Sequence, residues 1–518
     1  MNSIEASILI SSSKTKTACL LFLFLTCIFL LTGQGSIQSN DGKIMFFLTK
    51  SIVEEGKLSF KDEVFFGQSG QEQFSKYGIG MSLLAIPFYV LGKIFSFFLG
   101  IEEYYTTLFS VSMINALLTA LSSVVLFRLC RDRFNWTDAN SLVLTLGFGL
   151  STMSWAYSEG FMSEPATTLF LLCAVYFLTH PENVLRNRIL CGTFLGLALL
   201  YRLSAGITLP GFFIYQIMLW KDAPDKSLRS RISELLQIGL PILLFLCLIF
   251  IYNYLRYRNI FETGYEKGFV PDFWTGLLGN LFSPGKSVFL YNPVIIMGCL
   301  AFPRFFKSHP RYFYFFSWII FSNLFLYSFW VGWHGGWAWG PRMMTPVLPY
   351  LVLPVGFWMV NGSQHTKKFV YGLMALGMVL QISSVTVNPA RYYYNLDSRF
   401  NEKAHDLLIY SPAYSPLIGQ FKEVGIVFKN MRDKEFRKNL VRQATSKKTF
   451  LGENSTEVLE NGLSVNAPNF WWYYMYLFGY PFYLTILPPL ILLFTAIYCG
   501  FRIFMVVKMS STSGSFSK

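Results

Sequence analysis

Residues 189–220 pass with a single charged side chain, Arg202. A helix needs about 20 largely apolar residues to cross a bilayer. This run is too long for one ordinary span and is read as two short helices joined by a tight turn at Tyr201-Arg202-Leu203-Ser204. The same criterion marks 18–33, 106–127, 140–156, 165–179, 235–255, 287–303, 312–331, 343–360, 369–387 and 483–507. Together these are about 12 (11–13) transmembrane helices. Backbone polar groups in lipid must be satisfied within the segment, so the spans are helical and the fold class is an all-α polytopic membrane protein. Only 14% of the residues are charged, 53 of 518 are Phe, and mean hydropathy is +0.42. Soluble proteins carry about 25% charged residues. A soluble enzyme, a disordered chain, a collagen-like chain and a disulfide-stapled scaffold are excluded.

The net charge of +14 would suggest nucleic acid in a soluble protein. Here Lys and Arg concentrate in the short segments of one side, as cytoplasmic loops do, and no nucleic-acid partner is read. The resulting map has a cytoplasmic tail (1–17), a first transmembrane helix (18–33), and a first extracytoplasmic loop with interfacial helices (34–105). A transmembrane bundle (106–387) and a small extracytoplasmic segment (388–470) follow. An interfacial segment with the last transmembrane helix (471–507) leads to a cytoplasmic tail (508–518). The first apolar run also fits a cleaved signal peptide and is taken as an anchor. Residues 79–99 are apolar too. Counting them as a span would place Arg128, Arg131 and Arg133 outside, so they are read as an interfacial or re-entrant helix. The pattern of 388–470 is too weak to assign, and a small mixed α/β domain is one reading. Asn454-Ser455-Thr456 is a glycosylation sequon on the extracytoplasmic side of this map. The cysteines lie in or at the end of apolar runs, with neither a disulfide framework nor metal-type spacing.

Ionisable groups are nearly absent from span centres, which counts against an ion-coupled transporter. The acids gather at extracytoplasmic ends, with basic residues beside them. In Asn40-Asp41-Gly42 through Gly56, apolar positions recur at helical spacing. Asn40 or Asp41 suits an N-cap and Gly56 a C′ position. Asp41 is either a cap on a surface helix or a carboxylate held above the membrane as a general base. At Glu159-Gly160-Phe161-Met162-Ser163-Glu164-Pro165, Ser163 suits a cap and Glu164 a helix N-terminus; the two acids equally suit substrate hydroxyls or a divalent cation. Gly285-Lys286-Ser287 lacks the spacing of a nucleotide-binding loop, because five residues rather than four separate Gly279 from Gly285. Lys286 either snorkels or meets a lipid-linked phosphate. Trp330 to Arg342 combines four tryptophans, among them Trp333 and Trp337, with four glycines, His334 and Arg342. It reads as a ligand-binding loop, since Trp faces stack on sugars and Arg grips phosphate.

In this order, over roughly 18–350, these residues resemble the GT-C superfamily of integral-membrane glycosyltransferases, of the protein O-mannosyltransferase and aminoarabinose-transferase type. The resemblance implies a GT-C-like fold and a polyprenyl-phosphate-linked sugar donor used on the extracytoplasmic face. The sugar would pass to a hydroxyl on a lipid, glycan or protein acceptor, with inversion. Asp41 matches the catalytic acid, and Glu164 or Glu159 the second acidic site. Lys76 matches the basic residue near the donor phosphate; Arg202, Lys286 and Arg342 are further phosphate-binding candidates. Tyr77, Tyr265, Trp333, His334 and Trp337 are candidate substrate contacts. No metal ligands or cofactor are assigned, although a divalent cation is compatible with the acids. Where several relatives carry a second acid after the catalytic one, this chain has Gly42, and the Lys-Pro-Pro of some relatives is Lys76-Tyr77-Gly78 here. A lipid-linked saccharide flippase, an O-antigen-ligase-like transferase relying on His405, and a non-catalytic scaffold are the competing readings.

Overall fold

The computed structural model describes residues 3–61, 72–182, 184–265, 268–269, 272–445 and 462–513. The sequon at Asn454 and Glu266 lie outside the described residues. Among the described residues nine helices are long and apolar enough to cross a membrane by length and composition, and the chain is an integral, multi-pass membrane protein. Each of the twelve apolar runs falls mainly on helix. Several are short or interrupted: Asp138–Ser151 has 14 residues, Ser163–Leu178 has 16, and the run from 287 breaks between Tyr291 and Ile295. The long run divides as read, with Leu185–Tyr201 ending at an extended Arg202 before a 3-10 turn and Leu209–Lys221.

Two long segments take definite form. Gly80–Leu99, read as interfacial, is a 20-residue helix meeting the same length and hydropathy criterion as the other candidate spans. Its outward side chains, such as Phe97 and Phe98, are exposed. The described part of 388–470 has no mixed α/β character. It is helical, with Ala390–Phe400, Ala404–Tyr410, Pro416–Asn430 and Lys434–Thr445. The strands among the described residues are instead in the first loop, where Ser59–Lys61 pairs antiparallel with Glu72–Phe74.

Helix packing creates one cluster of enclosed apolar side chains reaching from Met45 and Phe46 through Phe148, Leu172, Phe315 and Tyr350. One end of the bundle is knotted by Glu234. Its carboxylate accepts from Lys226 Nζ (2.5 Å), Trp220 Nε1 (2.7 Å) and Gln216 Nε2 (3.0 Å). A buried carboxylate is tolerated only with such saturation. Arg256 lies on the same helix, Leu228–Tyr257, about 33 Å away at 1.5 Å per residue. There the guanidinium NH1 donates to the Ser75 carbonyl and so holds the loop leading to Lys76.

Candidate active site

The helix Asn40–Glu54 begins at Ser39, whose Oγ accepts from Gly42 N at 3.1 Å. Ser39, rather than Asn40 or Asp41, is therefore the cap. That leaves the Asp41 carboxylate in the first turn, favoured by the helix dipole and free to point away from the helix. The C-terminus agrees with the reading: Gly56 takes φ +66°. At Gly42, where several relatives have a second acid, an added Cβ would lie 2.5 Å from the Phe161 carbonyl and 2.7 Å from Ile37. No side chain fits there.

Arg342 NH1 meets Asp41 Oδ2 at 2.8 Å. Arg202 NH1 meets Glu164 Oε1 at 2.7 Å, and the same oxygen lies 4.0 Å from Arg342 Nε. Two acids and two guanidiniums thus form one alternating cluster. Glu164 is only 3% exposed and Asp41 is 27% exposed, so the pair is inward at Glu164 and open at Asp41. Burial pushes the Asp41 carboxyl up. Arg342, the Tyr77 hydroxyl that donates to it, and Lys76 outweigh that and hold it below the ordinary carboxylate value. Burial, then Asp41, push Tyr77 far above the ordinary phenol value, so it stays a donor.

Loops close the cluster from two sides. Gly78 packs against the end of Leu185–Tyr201, where a Cβ would stand 2.4 Å from the Leu200 carbonyl, so the chain just after Lys76-Tyr77 is held at that helix end. Tyr265 meets Tyr77 edge-on at 5.9 Å between ring centroids and Trp330 at 6.2 Å. Lys76 is half-buried and makes no ion pair within 4 Å among the described residues. Its ammonium stands 5.8 Å from the Tyr77 ring centroid and acts on Asp41 through charge alone.

The structure therefore brings Asp41, Glu164, Lys76, Tyr77, Arg202, Tyr265 and Arg342 together. The other candidates lie elsewhere. Glu159 is turned toward Asn469, whose Nδ2 donates to Oε2 at 3.2 Å. Lys286 is fully buried and spends its ammonium on the carbonyls of Ala338 (2.7 Å), Gly336 (2.8 Å) and Gly340 (3.4 Å). It holds the Trp/Gly loop from beneath rather than facing a ligand. Trp333 is buried in an apolar cluster with Tyr392, Tyr393 and Leu408. His334 Nδ1 accepts from Gly336 N (3.0 Å) and lies 3.2 Å from His405 Nε2. Trp337 stays 39% exposed beside Tyr394. Among the described residues no group of three or more His, Cys, Asp or Glu is placed to hold a metal. A divalent cation at Asp41 or Glu164 would have to displace a guanidinium.

Tyr327 was missed. Its hydroxyl accepts from Arg202 Nε (3.0 Å) and lies 2.7 Å from Ser204 Oγ, so it aims Arg202 at Glu164. It sits inside an apolar run whose only local signal is membrane burial.

Residues 94–252 match the family described as dolichyl-phosphate-mannose-protein mannosyltransferase. The resemblance to GT-C membrane glycosyltransferases is borne out over this stretch. It includes Glu159, Glu164 and Arg202, and begins after Asp41 and Lys76. Similar solved structures include ArnT from Cupriavidus metallidurans bound to undecaprenyl phosphate. It has a TM-score of 0.46 and 13% identity, with 85% of this chain and 73% of that one covered. The apo oligosaccharyltransferase of Archaeoglobus fulgidus aligns with a TM-score of 0.45 and 10% identity, covering 79% of this chain and 63% of its own. No curated protein matches the chain.

Proposed function

We propose that this protein is a GT-C-type membrane glycosyltransferase that moves a sugar from a polyprenyl-phosphate-linked donor to an acceptor hydroxyl on the extracytoplasmic face. The observation that carries this reading is the Lys76 ammonium, in no ion pair within 4 Å among the described residues, beside a partly open Asp41 whose carboxyl is held below the ordinary value. A lipid-linked donor is in keeping with the family matched over 94–252.

Asp41 accepts the proton of the acceptor hydroxyl as its oxygen attacks the anomeric carbon. The bond to the phosphate oxygen breaks on the opposite face and the sugar inverts. The leaving group is a phosphate, so it needs charge stabilisation more than protonation. Lys76 supplies it directly, with Arg202 and Arg342 contributing a fixed positive field that costs no reorganisation. Tyr77 and Tyr265 form a wall against which the sugar or lipid head lies. Glu164 keeps both guanidiniums in place, and the acceptor is a hydroxyl of a lipid, glycan or protein.

The test uses purified protein in liposomes, radiolabelled polyprenyl-phosphate sugars and a membrane extract as acceptor, comparing wild type with Asp41→Asn. The expected result is transfer by wild type and a loss of about 10²–10⁴-fold in the folded variant. Undiminished transfer by the variant would leave Asp41 as a helix-terminal charge. Movement of the donor across the bilayer without transfer would favour the flippase reading.

A further inference from the structure

Asp41, in the first turn of the helix Asn40–Glu54, is reached from the first helix by a short connection, Gly33–Ser39. Such a connection holds a carboxylate accurately only if something outside it fixes its backbone. That support comes from the far end of the chain. The first helix ends at Thr32, leaving its last carbonyls without partners inside the helix. Trp471 Nε1 donates to Leu30 O at 2.8 Å, Trp472 Nε1 to Leu31 O at 3.0 Å, and Trp471 N to Gly33 O at 3.0 Å. Gly35, at φ +64°, lies so close beneath that a Cβ there would stand 2.3 Å from Trp471 Cβ.

Three residues further on, the same support becomes polar. Gln38 Nε2 donates to Asn469 Oδ1 at 3.1 Å, and Asn388 Nδ2 donates to Gln38 Oε1. Asn469 Oδ1 also accepts from Tyr474 OH at 2.8 Å, its Nδ2 donates to Glu159 Oε2, and its backbone N–H donates to Thr386 O at 2.8 Å. One buried asparagine therefore joins the Asp41 connection, the turn before Glu164, the aromatic segment Trp471–Leu477 and the end of Gln364–Thr386. The segment is anchored behind: Arg391 binds Glu423 at 2.7 Å and the Val465 carbonyl at 3.1 Å, tying the helices after 388 to the chain just before Asn469.

We propose that residues 466–474 are the positioning element of the Asp41 connection, and that Asn469 is its central positioning residue, acting on Asp41 through Gln38 and on Glu164 through Glu159. This rests on the transferase reading for its kinetic consequence but not for its structural one. Glu159 thereby takes a different role from the acid suggested by the sequence. Burial holds its carboxyl well above the ordinary value, with the Asn469 bond opposing, and Oε1 is buried with no hydrogen-bond partner among the described residues. A carboxyl so enclosed, with its other oxygen bonded to Asn469 Nδ2, orients Asn469.

The experiment measures amide hydrogen exchange of the liposome-reconstituted full chain, with transfer kinetics and thermal unfolding in parallel. Asn469→Ala and, as a second route, Gln38→Ala are expected to raise exchange over 34–43 about tenfold while other protected helices keep theirs, as for a local opening. Turnover is expected to fall about tenfold or more with donor KM within about twofold, because misplacing a base costs rate rather than ground-state binding. The reciprocal pair Glu159→Gln with Asn469→Asp reverses the 3.2 Å bond while keeping both acceptor contacts of residue 469, and is expected to restore protection and turnover. Unchanged exchange over 34–43 in both single variants would overturn the proposal. So would a uniform rise over the whole protein with a matching drop in unfolding temperature, and so would failure of the reciprocal pair to recover. If wild type transfers nothing, the transferase reading falls, and the exchange pattern still decides the positioning role.

Discussion

Arg342 NH1 lies 2.8 Å from Asp41 Oδ2, joining residues 301 positions apart in the chain. The contact makes Asp41 an ionised acceptor at the cost of some basicity. Its folded pKa is depressed, so its contribution to stability is present above the unfolded value and lost as pH falls through the folded one. The acid limb of transfer should therefore lie below the ordinary carboxylate range. Arg342→Gln should move it upward and lower the maximum rate. A pH–rate profile of both proteins checks this, and an unmoved limb would mean that Asp41 is not the titrating base.

The Glu164–Arg202 pair is nearly dry, with Glu164 3% and Arg202 14% exposed. Arg202→Met removes one partner and leaves a buried carboxylate facing Arg342 at 4.0 Å. Breaking a buried pair typically costs about 3–5 kcal/mol. The expected loss is at the low end, because Arg342 remains. Chemical or thermal unfolding of Arg202→Met, Glu164→Gln and the double variant measures the coupling. Additive losses would mean that the two side chains do not stabilise each other.

Lys76→Met should lower the unfolding temperature only slightly, since the ammonium is in no ion pair within 4 Å among the described residues and acts on Asp41 and the Tyr77 ring from farther away. A lone ammonium on a phosphate is worth about tenfold or more in binding, by the magnitude of charge-assisted hydrogen bonds. Titration of reconstituted protein with a polyprenyl phosphate should show that weakening. Equal affinity in the two proteins would put the phosphate elsewhere.

His334 and His405 sit face to edge, with centroids 4.3 Å apart. Burial, then His405, Lys286 and Arg342, push His334 down to about 3, and burial and Lys286 lower His405 despite Asp406. The unfolded imidazoles titrate near 6.5, so the unfolded chain binds more protons below that pH and stability falls as pH drops. Unfolding temperature should decline between about pH 7 and 5, above the carboxylate range. His334→Gln should flatten that decline.

How much of the site could be read beforehand depended on how local its determinants were. Asp41 stood out because it follows an apolar run and opens an amphipathic helix, both visible within about 20 residues. Even there the cap was one residue off, because Ser39 and Asn40 are both good caps and only backbone geometry separates them. Lys286 looked like a phosphate contact because a Gly-Lys-Ser turn suggests one. Nothing nearby in the chain announces that three carbonyls fifty residues later absorb its charge. Asn469, with no charge and no motif around it, offered no signal at all.

The chain by itself determined that this is a helical membrane protein, where its apolar runs lie, and which ends gather charge. Hydropathy over a span is a local property, and lipid leaves helices as the available answer. Only the tertiary structure decided which charges are spent and which are free. It paired Arg342 with Asp41 and Arg202 with Glu164, buried Lys286 under a loop, and left Lys76 without an ion pair among the described residues. Those outcomes depend on which helix ends pack together, and contacts between residues hundreds of positions apart are set by packing rather than by neighbours in sequence.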